Sequence, residues 1–453
     1  MQTIVNKQGV IFLSPDTRIR IKEEEKQAAV LWQQLAGKQL VSTQSKPLRI
    51  IYPGRNNRDE GPDFCDAVIA TESGLMKGDI EVHVKSSGWY THNHHADPKY
   101  NNVILHVVLW HDSCEATVLQ NGTSIPILCL SKALRYQLHL LPHHLPCFET
   151  SENTREQTLA SLLAAEGRER FKEKAARFQV RLEQQEAGEV LLQGVMRALG
   201  YSKNTKPFEE LAQRLPLNYL ECRPSLPVKQ ALLLGAAGLL PFQRCQGKRG
   251  EDEKTQELEQ IWYEEGGGIK SMNESDWNLV HIYPHNSPVR RLIALSHLVQ
   301  RYNREGFLAG MLQLVRTARP PRGHHTIENG LIVVDEGYWR YHLDLDVLSR
   351  SPALLGNSKA AEIAVNVILP FAHAWGTLKG DITLVKNAEE LYHTYPKLRE
   401  NCLTGHMIKQ LRLKSPSWLT ACYQQGLIHI FKNYCREGKC QQCPLSRIPS
   451  ASL

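Results

Sequence analysis

The chain has 453 residues, of which 42% are hydrophobic and 22% charged, with a formal net charge of +7. Such a length predicts about two or three domains with room for a large core, and the apolar content excludes a disordered chain or a small disulfide-held scaffold. The charge suits a polyanionic partner but is spread too thinly to require one.

The first twenty residues hold only a short apolar patch, Val10 to Leu13, broken by Pro15 and Asp16, so no secretory leader is expected. The longest apolar run, around Ala231 to Leu240, is far below the roughly 20 residues that span a bilayer. A cytoplasmic location without a membrane partner is the expectation.

Residues 21–35 predict an amphipathic helix, with Ala28, Leu31, Trp32 and Leu35 at helical spacing. From about Leu48 to Leu130 the short runs LRIIY, FCDAVIA, GDIEVHV, VILHVVLW and SIPILCL, separated by Gly, Asn, Asp and Pro, predict strands. After Ser131 the periodicity becomes helical, interrupted by the charged stretch 248–258 and by the loop ARPPRGHHT at 318–326, which is expected to separate two helical subdomains. The expected fold class is α+β: a mixed α/β domain at 1–131, a helical domain at 132–325, and a helical C-terminal region at 326–453 that ends in a cysteine cluster.

The most informative stretch runs from Gly61 to Val108. Side chains alternate along a strand, so Asp79, Glu81, His83 and Lys85 share one face while Ile80, Val82 and Val84 share the other. A strand, a turn around Gly74 and a return strand would set Asp63 beside Glu81. Two adjacent carboxylates repel unless a cation lies between them, which predicts an oxygen site for Mg²⁺ or Mn²⁺. For Asp79 alone, a merely solvated strand face is the better account. Lys85 or His83 is expected to assist an attacking water, and His92, His94 and Asp97 to line the site together with Ser86, Ser87, Trp89 and Tyr100. His106, inside VILHVVLW, reads as a satisfied core histidine.

Pro62-Asp63 followed by Glu81 resembles the PD-(D/E)XK nuclease superfamily, which implies a nuclease-like N-terminal domain with a metal held by the Asp and the Glu. The position two after Glu81 is His83 where that superfamily has lysine; either His83 replaces the lysine, or Lys85 reaches in. The run HNHHAD differs in the spacing of Asp97 from the zinc motif of metallo-β-lactamase-like hydrolases, but its imidazoles also suit zinc.

A longer resemblance covers most of the chain. Gly61 to Phe64, Gly78, Glu81, His83, Ser86, Ser87, Trp89, His92, His94, Asp97, Tyr100, Asn102 and Val103 to Val108, read with 232–241, 354–376 and 424–431, are similar to a bacterial family known as a domain of unknown function. Gly88 stands where that family usually has Asp. The resemblance implies Glu81-x-His83 as the family form, and no activity.

Near the C-terminus, Cys435, Cys440 and Cys443 predict a [4Fe–4S] or zinc site of structural role, with Cys402 or Cys422 as the fourth ligand. Arg316, Arg319 and Arg322 are candidate phosphate contacts, whereas Arg168, Arg170, Lys172, Lys174 and Arg177, interleaved with Glu166, Glu169 and Glu173, read more simply as a solvated helix face. The expected function is metal-dependent hydrolysis of phosphodiesters in DNA or RNA. The alternatives are a non-catalytic nucleic-acid-binding or scaffold protein that keeps the fold, and a zinc-dependent hydrolase of a small molecule.

Overall fold

The structure, a computed structural model, describes residues 18–135, 145, 147, 156–244, 252–279, 286–345, 347–348, 353–413 and 418–447. The chain forms two compact units: Met1–Leu163 with Glu400–Pro416 and Leu427–Leu453, and Ala164–Arg399 with Ser417–Gly426. The chain end carrying the cysteines therefore belongs with the N-terminal sheet.

The first unit opens with helix α1 (Arg18–Gln34), which carries Ala28 and Trp32 one turn apart into the core. Trp32 is fully buried, and its indole N–H donates to the Pro53 carbonyl at 2.9 Å, so the ring is anchored at both its apolar and its polar end. Gly37, at φ 78°, turns the chain after the helix and donates its N–H to Ile50 O at 2.6 Å.

Strands β1 (Gln39–Val41), β2 (Pro47–Tyr52), β3 (Arg55–Asn56), β4 (Phe64–Thr71), β5 (Gly74–Lys85), β6 (Val103–Trp110), β7 (Thr117–Val118), β8 (Ser124–Ile125) and β9 (Ile127–Cys129) follow. The main sheet has the order β1-β2-β4-β5-β6-β9, with β3 on β4. Pairing is antiparallel from β1 to β5, then parallel between β5 and β6 and between β6 and β9. Gly74, at φ 117°, closes the β4–β5 hairpin, where Thr71 Oγ1 donates to Gly74 O at 3.1 Å. With a parallel neighbour on each side, β6 is buried along most of its length, which accounts for the near-continuous apolar run VILHVVLW.

Ile80, Val82 and Val84 pack with Ala28, Trp32 and Leu35 of the α1 segment in one core, as the alternation along β5 predicts. Glu81 and His83 thus project from the opposite face. The crossover from β5 to β6 carries the short helix α2 (Gly88–Thr91) and the turns His94–Ala96 and Pro98–Tyr100. A short helix α3 (Leu130–Arg135) follows β9.

The second unit is helical. The helices Phe307–Thr317 and Gly323–Leu331 flank the loop expected to separate helical subdomains. Both contribute to the same core, through Met311, Val315, Ile327 and Leu331, so apolar packing runs continuously across 318–326. Two buried arginines tie in a short strand pair, Val333–Val334 with Ala353–Leu355. Arg290 donates to the carbonyls of Trp339 at 3.1 Å, His342 at 2.5 Å and Ala353 at 3.2 Å, and Arg291 to Leu354 O at 2.5 Å and Tyr201 OH at 2.8 Å. Arg290→Met strips a charged donor from three carbonyls and is expected to cost about 3 kcal/mol in urea unfolding. A loss below about 0.5 kcal/mol, typical of an ordinary surface change, contradicts that role.

No helix among the described residues is long and apolar enough to cross a membrane.

Candidate metal centre

Asp63 enters β4 and Glu81 lies in the middle of β5, and the antiparallel pairing Phe64↔Ile80 brings these two points together. The Asp63 N–H donates to Glu81 Oε2 at 3.1 Å, and Asp63 Oδ2 accepts the Val82 N–H at 3.0 Å. The two carboxyl groups, 18 positions apart in the chain, thus belong to one cluster.

Glu81 Oε1 lies 3.2 Å from His94 Nε2 and 3.6 Å from His83 Nε2. His94 is 8% exposed, and its Nε2, although close to the carboxylate, has no hydrogen-bond partner. A buried nitrogen left in this state calls for a further group, and a cation shared with Glu81 meets the need. His83, His92 and His94 each present one ligand nitrogen, all within 4.8 Å of one another. His83 and His94 are buried, whereas His92 is exposed and opens the cluster to solvent.

Behind His83 runs a relay of hydrogen bonds: His83 Nδ1 meets His106 Nε2 at 2.9 Å, and His106 Nδ1 meets Thr117 Oγ1 at 2.9 Å. If His83 Nδ1 carries the proton and donates to His106, and His106 in turn donates to the threonine oxygen, His83 Nε2 is left bare and pointed at the cluster. Metal-binding histidines are commonly held in this way. Trp89, fully buried, packs beside His94 and His106 with ring centroids 5.5 and 5.4 Å apart, and Tyr100 lies over His94 at 3.9 Å.

Burial, reinforced by Glu81, pushes the Asp63 carboxyl up to about 7. Burial, with Glu25 of α1 adding negative charge, pushes Glu81 up to about 8. His83 is driven down to about 2 by burial and then by His106, His94 and His92, and His106 down to about 3, so both rings are neutral near pH 7. Burial and the nearby Glu81 and Asp63 raise Tyr100, which keeps its hydroxyl proton. Carboxyls that hold protons and imidazoles that shed them are what a dehydrated cation site presents when no cation balances its charge.

The chain matches the model of a family described as "Protein of unknown function (DUF2851)" over residues 25–401. It belongs to this family. No curated protein and no solved structure matches it. The matched span contains every residue of the cluster in this DUF2851 chain.

Other residues expected at the site stand apart from its centre. Lys85 is exposed at the end of β5. The carboxylate of Asp79 accepts the Asp66 N–H at 3.1 Å and the Asn102 amide at 2.9 Å, a brace between strands in keeping with the structural account of this residue. Ser86 and Ser87 donate their hydroxyls to Asp112 at 3.0 and 2.8 Å and fix the start of α2. Asp97 caps the turn Pro98–Tyr100, accepting the Lys99 N–H at 2.9 Å. At Gly88 a Cβ would stand 2.9 Å from the His83 ring, so a side chain here obliges that ring to shift.

In the second unit, Arg316 pairs with Asp381 at 3.1 Å, Arg319 donates to the Ala318 carbonyl at 2.8 Å, and Arg322 precedes the helix Gly323–Leu331. Of the basic helix face, Arg170 and Lys174 donate to Gln425 Oε1 at 2.8 and 2.9 Å, so that portion of it serves internal packing.

Four contributors are not evident from the sequence pattern. His106 is legible only as a core histidine, and it is one, yet it also backs His83. Thr117, Glu25 and Asp112 carry no local motif; each acquires its place through strand register or helix packing.

Proposed function

We propose that this chain is a metal-dependent hydrolase of phosphodiester bonds in nucleic acid, with Asp63, Glu81, His83 and His94 holding a divalent cation. The observation that carries the reading is the convergence on Glu81 of the Asp63 segment from one side and the unpartnered His94 nitrogen from the other. The element order supports it. A helix, an antiparallel meander with the acids on β4 and β5, a short crossover helix and a parallel β6 suit the nuclease superfamily that Pro62-Asp63 and Glu81 resemble.

Imidazole nitrogens mixed with carboxylate oxygens fit Mn²⁺ or Zn²⁺ better than Mg²⁺, which prefers oxygen alone. A bound ion of this kind polarises a phosphate oxygen and lowers the pKa of water. In this reading His83 stands where the superfamily has lysine. It is neutral and buried, and its 3.1 Å contact with the exposed His92 offers a route for a proton to reach solvent. Tyr100 and Trp89 wall the imidazoles off from water, which strengthens every charge interaction inside the cluster.

The three histidines also favour a second reading, a zinc hydrolase of a small molecule. Incubating the full chain with Mn²⁺ or Zn²⁺ and a panel of single- and double-stranded DNA, RNA and small esters separates the two. Cation-dependent polynucleotide cleavage is the expected result. Turnover of small esters alone moves the assignment to the second reading, and failure to bind either ion overturns both.

Thr117→Val removes the last acceptor of the imidazole relay while preserving shape. It is expected to weaken Mn²⁺ binding by roughly 10- to 100-fold in calorimetric titration, as loss of such an outer partner does elsewhere. An unchanged affinity would separate the relay from the cation.

A further inference from the structure

Three thiols near the C-terminus lie on a tight turn. Gly438, at φ 68°, lets the chain reverse after Cys435, with its N–H donating to Cys435 O at 3.1 Å, and the Cys443 N–H donates to Cys440 O at 3.1 Å. The turn is pinned to the sheet of the same unit: a Cβ on Gly438 would meet Val68 Cγ1 of β4 at 2.9 Å, and Glu437 pairs with Lys77 of β5 at 2.5 Å.

A fourth thiol arrives from far along the chain. The Gln410 side-chain amide lies 3.5 Å from Cys147 Sγ and 3.7 Å from Cys435 Sγ, so one amide joins the two sulfurs. Cys147, Cys435 and Cys443 are buried, and Cys440 is half-buried. Burial, and then the nearness of Cys443 and Cys440, pushes the Cys147 thiol up to about 12; Cys435 is raised likewise by burial and then by Cys147, Cys443 and Cys440. Each of these two thiols therefore has the other cysteines as near neighbours.

Neither fourth ligand expected from the sequence takes part in this gathering. Cys402 is exposed at the start of the helix Cys402–Gln410, and Cys422 belongs to the second unit, where its thiol lies 3.7 Å from His393 Nδ1.

We propose that Cys147 completes a four-thiolate metal centre with Cys435, Cys440 and Cys443, which takes a zinc ion or an iron–sulfur cluster. Four buried thiols sharing one amide donor form a poorly satisfied group in the protonated state. As thiolates around a thiophilic metal they are satisfied, and their protons leave to solvent on binding. The centre ties the end of the chain to the segment that follows the sheet domain, and it stands independently of the hydrolase reading.

The test is made on the full chain purified without oxygen, by analysis for zinc, iron and sulfide together with the visible spectrum. About one zinc ion per chain, or iron with matching sulfide and a broad visible absorption, is expected. In the zinc case, replacement by Co²⁺ gives thiolate charge-transfer bands, which the nitrogen and oxygen ligands around Glu81 do not produce. Cys147→Ser is expected to bring this signal to roughly a tenth or less, and Cys402→Ser to leave it whole.

If Cys147→Ser does not fold, alkylation of the native wild-type protein decides. Cys147 and Cys440 are expected to become reactive together when a chelator strips the metal, while the exposed Cys402 reacts throughout. Full thiolate-bound metal in Cys147→Ser, loss of metal in Cys402→Ser, no thiolate-bound metal in the wild type, or Cys147 indifferent to the chelator while Cys440 responds, each overturns the proposal.

Discussion

Glu81→Ala is expected to abolish cation-dependent cleavage, by on the order of a thousandfold or more, while the protein stays folded. Glu81 joins both halves of the cluster: Oε2 receives the Asp63 N–H at 3.1 Å, and Oε1 faces His94 at 3.2 Å. Without it the cation loses the one carboxylate that reaches the imidazoles, and Asp63 loses the contact that places it. The metal-free fold should not suffer in proportion. A buried carboxyl held at about 8 is a group the fold keeps neutral, and removing such a group costs little. The decisive pattern is therefore lost Mn²⁺ binding and lost cleavage at nearly unchanged thermal stability in chelator. Cleavage that survives the substitution removes this site from the chemistry.

Cation affinity should depend steeply on pH. In the metal-free protein Asp63 titrates at about 7 and Glu81 at about 8, so at neutral pH the pair still holds protons that an incoming ion must displace. His83, already neutral, has none to lose. Affinity accordingly rises with pH up to about 8 and falls on acidification, approaching two protons displaced per ion, with binding at pH 6 roughly a hundredfold or more weaker than at pH 8. Mn²⁺ titration in buffers of different ionisation enthalpy reads the released protons directly, and an affinity flat from pH 6 to 8 contradicts the coupling.

Stability follows the same sign. Both carboxyls have folded pKa values above their unfolded ones, so the native state keeps protons that the unfolded chain has lost, and metal-free stability declines as pH rises through 8. His83, lowered to about 2, works oppositely below the ordinary histidine range, because there the unfolded chain binds the extra proton. The window from about 6.5 to 8 thus isolates the carboxyl effect, and saturating cation should reverse it.

Much of the site was legible because strand periodicity is a local property. Alternation along β5 correctly separates Ile80, Val82 and Val84, which enter the core with Trp32, from Glu81 and His83, which leave it. It cannot separate His83 from Lys85, since both share a face; only the end of the strand, where Lys85 meets solvent, does so. The same limit applies to Asp79, whose carboxylate is engaged by Asp66 and Asn102.

The amino-acid sequence by itself determined the strands, the helices, the hairpin that closes at Gly74 and the facing of the acidic strand, because these follow from φ/ψ preference and from apolar spacing within a few residues. The tertiary structure alone decided which distant groups meet: Thr117 behind His106, Glu25 beside Glu81, Cys147 with the C-terminal thiols, and the chain end against the sheet rather than among the helices. Those meetings come from packing and strand register over tens to hundreds of positions, and no short-range pattern encodes them.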